Sequence, residues 1–211
     1  MPLVLRVLAV LLGWTVGISA GQRPAITTGG PEPALILPAA MQQALHRFDR
    51  DFVPRRMIDY PPLLWRPGCA ATPDCTEHLY KPGPRQAPFA VAGFFDADDI
   101  MDVMIDGDNR THGRRLVLTT GPDGIVVTEV ETIERIPPSV AASRSEGGRW
   151  RGWTDGVPES LSFVRAATYR SAHEPELLVL TADAVLVTRR DGRAKIYYHR
   201  DGAWRQFVVA K

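Results

Sequence analysis

The chain has 211 residues, with 25 basic and 24 acidic side chains and a formal net charge of +1. A chain this close to neutral lacks the excess of cations that phosphate neutralisation demands, which argues against nucleic acid as a partner. Beyond the first twenty residues no apolar run reaches the length needed to span a bilayer, so no transmembrane segment is expected after their removal.

Those first twenty residues read as a cleavable secretory signal. Arg6 supplies a short positive start, Val7 to Ile18 is an apolar run broken only by Gly13, Thr15 and Gly17, and Ile18-Ser19-Ala20 places small residues before Gly21. About 190 residues then remain, enough for one domain with a sizeable core. Lysine is confined to Lys81, Lys195 and Lys211 amid abundant arginine, and Asn109 is the sole asparagine. That bias suits a GC-rich bacterial genome, and hence a periplasmic or secreted bacterial protein.

Residues 21–35 are rich in Gly, Pro and Thr and are expected to form a flexible linker, followed by a single domain over 36–211. Leu37, Met41, Leu45, Phe48 and Phe52 recur at intervals of three and four, the stripe of an amphipathic helix from Pro38 to Phe52 that packs on a sheet. Pro38 suits its first turn and Pro54 its end. Asp59 to Gln86 carries many prolines and reads as an ordered irregular segment. Cys69 and Cys75 lie within it. In an oxidising compartment their simplest reading is one small disulfide loop, stabilising by roughly 2 kcal/mol in the chain-entropy model. A metal site with His78 is the sharper alternative, but the paired C-x-x-C spacing of zinc and redox sites is missing.

From Pro88 onward the pattern changes to strands: Phe89–Phe95, Asp102–Ile105, Arg114–Thr120, Ile125–Thr132, Leu161–Ala166, Leu177–Thr181, Ala184–Arg189, Ala194–His199 and Trp204–Val209. Asp-Gly pairs punctuate this region at Asp106, Asp123, Asp155, Asp191 and Asp201, and Asp-Gly tolerates the positive φ of tight hairpins. Connections so short hold no crossover helix, so the sheet is largely antiparallel. Pro137 to Pro158 reads as a long loop. The expected class is α+β: an N-terminal amphipathic helix on a largely antiparallel meander that forms a blade-like, curled sheet or a small sandwich.

The densest polar feature is Gly93-Phe94-Phe95-Asp96-Ala97-Asp98-Asp99-Ile100-Met101-Asp102-Val103. Carboxylates alternating on a tight loop suit calcium, which takes about six to eight oxygen ligands. This segment resembles one degenerate FG-GAP (VCBS-type) repeat, whose usual reading is G-D-F-D-G-D-G-x-x-D, a strand–loop–strand unit of a β-propeller blade found singly in some secreted bacterial proteins. The resemblance implies a blade-like sheet and calcium ligands at Asp96, Asp98 and Asp102. Phe94 stands where the family has its first Asp, and Ala97 and Asp99 stand where it has glycines. The likeness covers Pro88 to Thr132, with a weaker echo in Asp201-Gly202-Ala203-Trp204. One copy does not make a propeller, which needs about four blades.

Other groupings carry less. Gly17-Ile18-Ser19-Ala20-Gly21 matches a nucleophile elbow but straddles the cleavage site. The five histidines are scattered without H-E-x-x-H spacing. Asn109-Arg110-Thr111 is a glycosylation sequon relevant only in a eukaryote. Glu129 and Glu131 share one face of a regular strand, which suits either acid–base chemistry or an ordinary polar face. Arg149-Trp150-Arg151-Gly152-Trp153 suits either stacking on a sugar or partner, or anchoring of a long loop.

The sequence thus points to a periplasmic or secreted non-enzymatic domain that binds a protein or glycan, with Arg149, Trp150, Arg151 and Trp153 as its binding residues. A calcium-stabilised structural or adhesion module using Asp96, Asp98 and Asp102 is one alternative. A hydrolase of envelope polymers is another, without a motif behind it.

Overall fold

The computed structural model describes residues 23–30, 32–60, 80, 82–96, 98–135, 159–171, 177–189 and 193–210. Val, Ile and Leu alternate along its strands, and both faces of the central strands are buried, so each strand serves two cores. Met104 and Val117 point to one side; Val103, Ile105, Leu116 and Leu118 point to the other.

The first strands are β1 (Ala25–Thr27) and β2 (Ala34–Ile36), followed by α1 (Ala39–Phe48) and β3 (Val53–Pro54). Next come β4 (Gln86–Ala87), β5 (Ala90–Gly93), β6 (Asp102–Asp108), β7 (Gly113–Gly121) and β8 (Gly124–Ile133). The chain continues with β9 (Glu159–Val164), β10 (Thr168–Arg170), β11 (Leu177–Val179), β12 (Ala184–Arg189), β13 (Ala194–Arg200) and β14 (Ala203–Ala210). One sheet runs β4-β5-β6-β7-β8, with β3 paired to the far end of β6; a second runs β14-β13-β12-β9. β1-β2 and β10-β11 are separate hairpins, and every described pairing is antiparallel. The fold is therefore mostly antiparallel β with one short helix.

The two larger sheets pack face to face. Val91, Phe95, Met104 and Val117 of the first meet Leu161, Val185, Val187 and Tyr197 of the second. Met41 and Leu45 of α1 cover the opposite face of the first sheet with Phe52. On the outer face of the second sheet, Ala184, Ile196 and Phe207 pack with Leu178 of β11 and the neighbouring Leu180. Tyr197 and Tyr198 accordingly go to different layers, the first between the sheets and the second against the outer cluster.

Four differences from the sequence expectations have physical causes. The expected linker contains the β1-β2 hairpin, because Ile26 finds cover beside Met57, Tyr60 and Phe89. The helix ends at Phe48, not Phe52: Asp49 turns extended, and Asp51 N–H caps back onto the Asp49 carboxylate at 3.0 Å. Asp106-Gly107 is no turn but lies inside β6, where Asp106 meets Arg115 and Gly107 lies against the Phe52 ring. Asp123-Gly124 and Asp201-Gly202 do turn, and at the latter both residues have positive φ, 53° and 75°; Asp155-Gly156 and Asp191-Gly192 lie outside the described residues. Lastly, β8 bulges: Arg115 faces Glu131 and Leu116 faces Glu129, leaving Val130 as an extra residue.

Candidate functional site

The two sheets meet along β5, β6 and β7 against β9, β12 and β13, but their margins diverge where β8 and β14 end each sheet. Among the described residues β8 pairs only with β7, and β14 only with β13. A groove of about 720 Å³ opens between them, in the size range of ligand pockets. One wall carries Val126, Thr128 and Val130 of β8; the other carries His199, Trp204 and Gln206 of the β13-β14 hairpin, with Asp96 and Thr119 at its margin.

Strand periodicity explains the second wall. His199 is the register partner of Trp204, and Tyr197 of Gln206, so all four side chains stand on the face turned toward the first sheet. Trp204 meets Phe95 edge-on, with ring centroids 5.6 Å apart, and lies 5.7 Å from the His199 ring. It remains half-buried. Val126 and Val208, on strands that border the opening, are 56% and 47% exposed. Among the described residues, Thr119, Thr128 and Gln206 donate or accept no side-chain hydrogen bond, and His199 contributes only its ring contact.

Glu131 and Tyr197 of the lining belong to a network of charges that lies behind the groove. Arg115, fully buried, holds Asp106 through two bonds of 2.8 and 2.9 Å, Glu131 at 2.5 Å and Glu159 at 3.0 Å. Lys195 donates to Glu131, Tyr197 donates its hydroxyl to it at 2.7 Å, and Arg189 reaches Glu159 at 3.5 Å. Burial opposes charge on Arg115, but Asp106 and then Glu159 and Glu131 outweigh it and hold the guanidinium more firmly cationic than usual. Burial likewise opposes charge on Glu131; the bonds from Lys195 and Tyr197, with Arg115, win and leave its acidity strengthened.

The bulge separates Glu129 from Glu131, so the expected common face does not form. Glu131 turns between the sheets. Glu129 turns to the helix side, where Arg114 donates to it at 2.6 Å and Thr132 at 2.9 Å.

Of Asp96, Asp98 and Asp102, only Asp96 lines the groove. Asp96 Oδ1 accepts the Asp98 N–H at 3.3 Å, and Asp98 Oδ1 accepts the Ile100 N–H at 2.8 Å, which spends part of each carboxylate on folding the loop. Asp102 is fully buried: Oδ1 accepts the Thr120 N–H at 3.1 Å, and Oδ2 has no hydrogen bond of normal geometry. Burial, then the Asp96 charge, push its carboxyl up to about 7, against the pull of the Thr120 and Phe95 amides. Among the described residues no three His, Cys, Asp or Glu side chains converge in a metal-holding group. Phe94, in the place of the family's first Asp, ties the loop to the second sheet instead. Its N–H donates to the Asp183 carboxylate at 3.0 Å and its carbonyl accepts the Asp183 N–H at 3.1 Å.

Arg149, Trp150, Arg151 and Trp153, and Cys69 and Cys75, lie outside the described residues. Sequence reading missed the groove and the Arg115 network. Period-2 alternation within each strand, joined by the register of a two-residue turn at Asp201-Gly202, would have placed Tyr197, His199, Trp204 and Gln206 on one face; nothing local marks Arg115 as buried. No described helix is long and apolar enough to cross a membrane. No family model, curated protein or solved structure matches the chain.

Proposed function

We propose that this is an exported, non-enzymatic binding module that holds another macromolecule in the groove between β8 and β14. The observation that carries the reading is the coincidence, at the open margin of a packed sandwich, of a half-buried Trp204 with polar side chains whose hydrogen bonds are unspent. Export follows from the signal-like start, Arg6 to Ala20, and the helix packed on the sheet gives the groove a rigid back. Glu131 favours binding over hydrolysis, since a carboxylate clamped by Lys195, Tyr197 and Arg115 is poorly suited to donate a proton. The test is co-sedimentation of the exported chain with the insoluble envelope of a bacterial host. Retention that falls with Trp204→Ala and with Gln206→Ala supports the groove; retention indifferent to both refutes it.

A calcium-stabilised module is the second reading, and the observation in its favour is the buried, unsatisfied Oδ2 of Asp102 beside Asp96 and Asp98. Such a site would raise the melting temperature in millimolar calcium over EGTA, because a ligand of the folded state alone stabilises it. Asp98→Ala would abolish that rise; no rise in the wild type ends this reading.

A further inference from the structure

We infer that the ligand of this groove is an uncharged, linear saccharide chain; the inference rests on the groove being the binding site.

Three features of the groove select this chemistry. The first is its charge balance. Of the charged side chains on its lining, Glu131 is countered by Arg115 and Lys195, Glu129 by Arg114 and Arg205 by Asp201, and Asp96, without an ion pair among the described residues, disfavours an anionic ligand. The second is the kind of polar group left over. Thr128, Thr119, Gln206 and His199 together offer donors and acceptors in mixture, which suits hydroxyl groups that are both. The third is the apolar surface among them. Trp204 is fixed edge-on by Phe95, an aromatic platform that needs no reordering on binding, and Val126 stands exposed on the opposite wall. A sugar ring has this same mixture, with C–H surfaces on its faces and hydroxyls around its rim.

The shape calls for a chain. From Val126 to Glu131 the β8 wall is about 17 Å long at roughly 3.4 Å per residue, and the groove is open along one side. A single ring would leave most of that wall unfilled. A peptide strand is the competing occupant, since β8 and β14 each have a strand partner on one edge only among the described residues. That mode draws on backbone edges and makes no use of the Trp204 platform or the inward polar side chains. The saccharide uses both.

The experiment is competition on the envelope-retained protein, using the full chain expressed so that export takes place. Maltohexaose, cellohexaose, laminarihexaose and chitohexaose are the competitors, and a second envelope sample is digested with protease beforehand. The expected result is retention that survives the digestion and is displaced by at least one of the four. Thr128→Ala and Gln206→Ala are expected to weaken that displacement about tenfold while leaving the fold intact, as Gln206 is exposed, Thr128 is partly so, and neither has a side-chain hydrogen bond to lose among the described residues. Retention lost on digestion, or displaced by none of the four, overturns the saccharide. If the groove variants still reduce retention in that case, the groove stands, and its ligand is a polypeptide where digestion abolishes retention and another envelope component where it does not. If they do not, the groove falls with it.

Discussion

Arg115 and Asp106 are register partners on neighbouring strands and close a two-pronged ion pair at 2.8 and 2.9 Å, both fully removed from solvent. A guanidinium fork matches a carboxylate in plane, and the second sheet adds Glu159 as a third acceptor. The cluster fastens the two sheets where the apolar core gives way to the groove.

Removing one partner strands the others. Arg115→Met is expected to destabilise by about 3–5 kcal/mol, because Asp106 would stay buried without its two-pronged partner. Arg115→Lys is expected to recover only part, as an ammonium cannot serve the fork. Urea denaturation monitored by circular dichroism measures both; a loss below about 1 kcal/mol for Arg115→Met would contradict the network.

The two glutamates of β8 should now behave differently. Glu131→Ala breaks bonds from Arg115, Lys195 and Tyr197 and is expected to cost about 2–4 kcal/mol. Glu129→Ala loses a half-exposed pair with Arg114 and is expected to cost about 1 kcal/mol or less. Equal losses would mean that the bulge at Val130 does not separate them.

Asp102 makes stability depend on pH in a definite direction. Its folded-state carboxyl titrates near 7, above the ordinary 3.8, so between those values the folded protein holds a proton that the unfolded chain has released. The contribution is fully present below about pH 4, falls by up to about 1.4 kcal/mol per pH unit as pH rises toward 7, and is flat above. Asp102→Asn keeps the shape without the charge. Relative to wild type it is expected to gain stability steadily from pH 4 to 7. Paired denaturation curves at pH 5 and pH 8 decide it: a wild-type-minus-variant difference that does not change with pH removes the argument.

Gly107 is fixed by the ring beside it. A Cβ there would come within 2.1 Å of Phe52 and 2.7 Å of the Val53 carbonyl. Gly107→Ala is expected to destabilise by about 1–3 kcal/mol, and Phe52→Ala in the same chain should relieve the part due to the ring. Thermal melts of the single and double variants test the coupling; strict additivity would show that the ring is not the obstacle.

Much of the sheet is legible in the sequence because its signal is local. The Ala184–Arg189 strand emerges from the run of aliphatic and β-branched residues with the same ends, and the Asp201-Gly202 hairpin from turn chemistry alone. The site is less legible. Arg115 takes partners 9, 16 and 44 residues away, and no window of sequence shows that three carboxylates converge on one guanidinium. The bulge has the same character. One extra residue at Val130 reverses the face of everything beyond it, and the shift shows only in the register with the partner strand. The helix stripe continued to Phe52 because Phe52 does enter the same apolar cluster, but from an extended segment beyond the helix end.

The fork between Arg115 and Asp106 also bears on the surroundings in which the protein can work. Mobile ions weaken attraction between charges at a surface, the more so the saltier the medium. A pair sealed from solvent is out of their reach. The clasp between the two sheets should therefore hold with the same grip in dilute and in saline media, leaving the outer pairs, such as Arg110 with Asp51, to loosen and re-form with the salt.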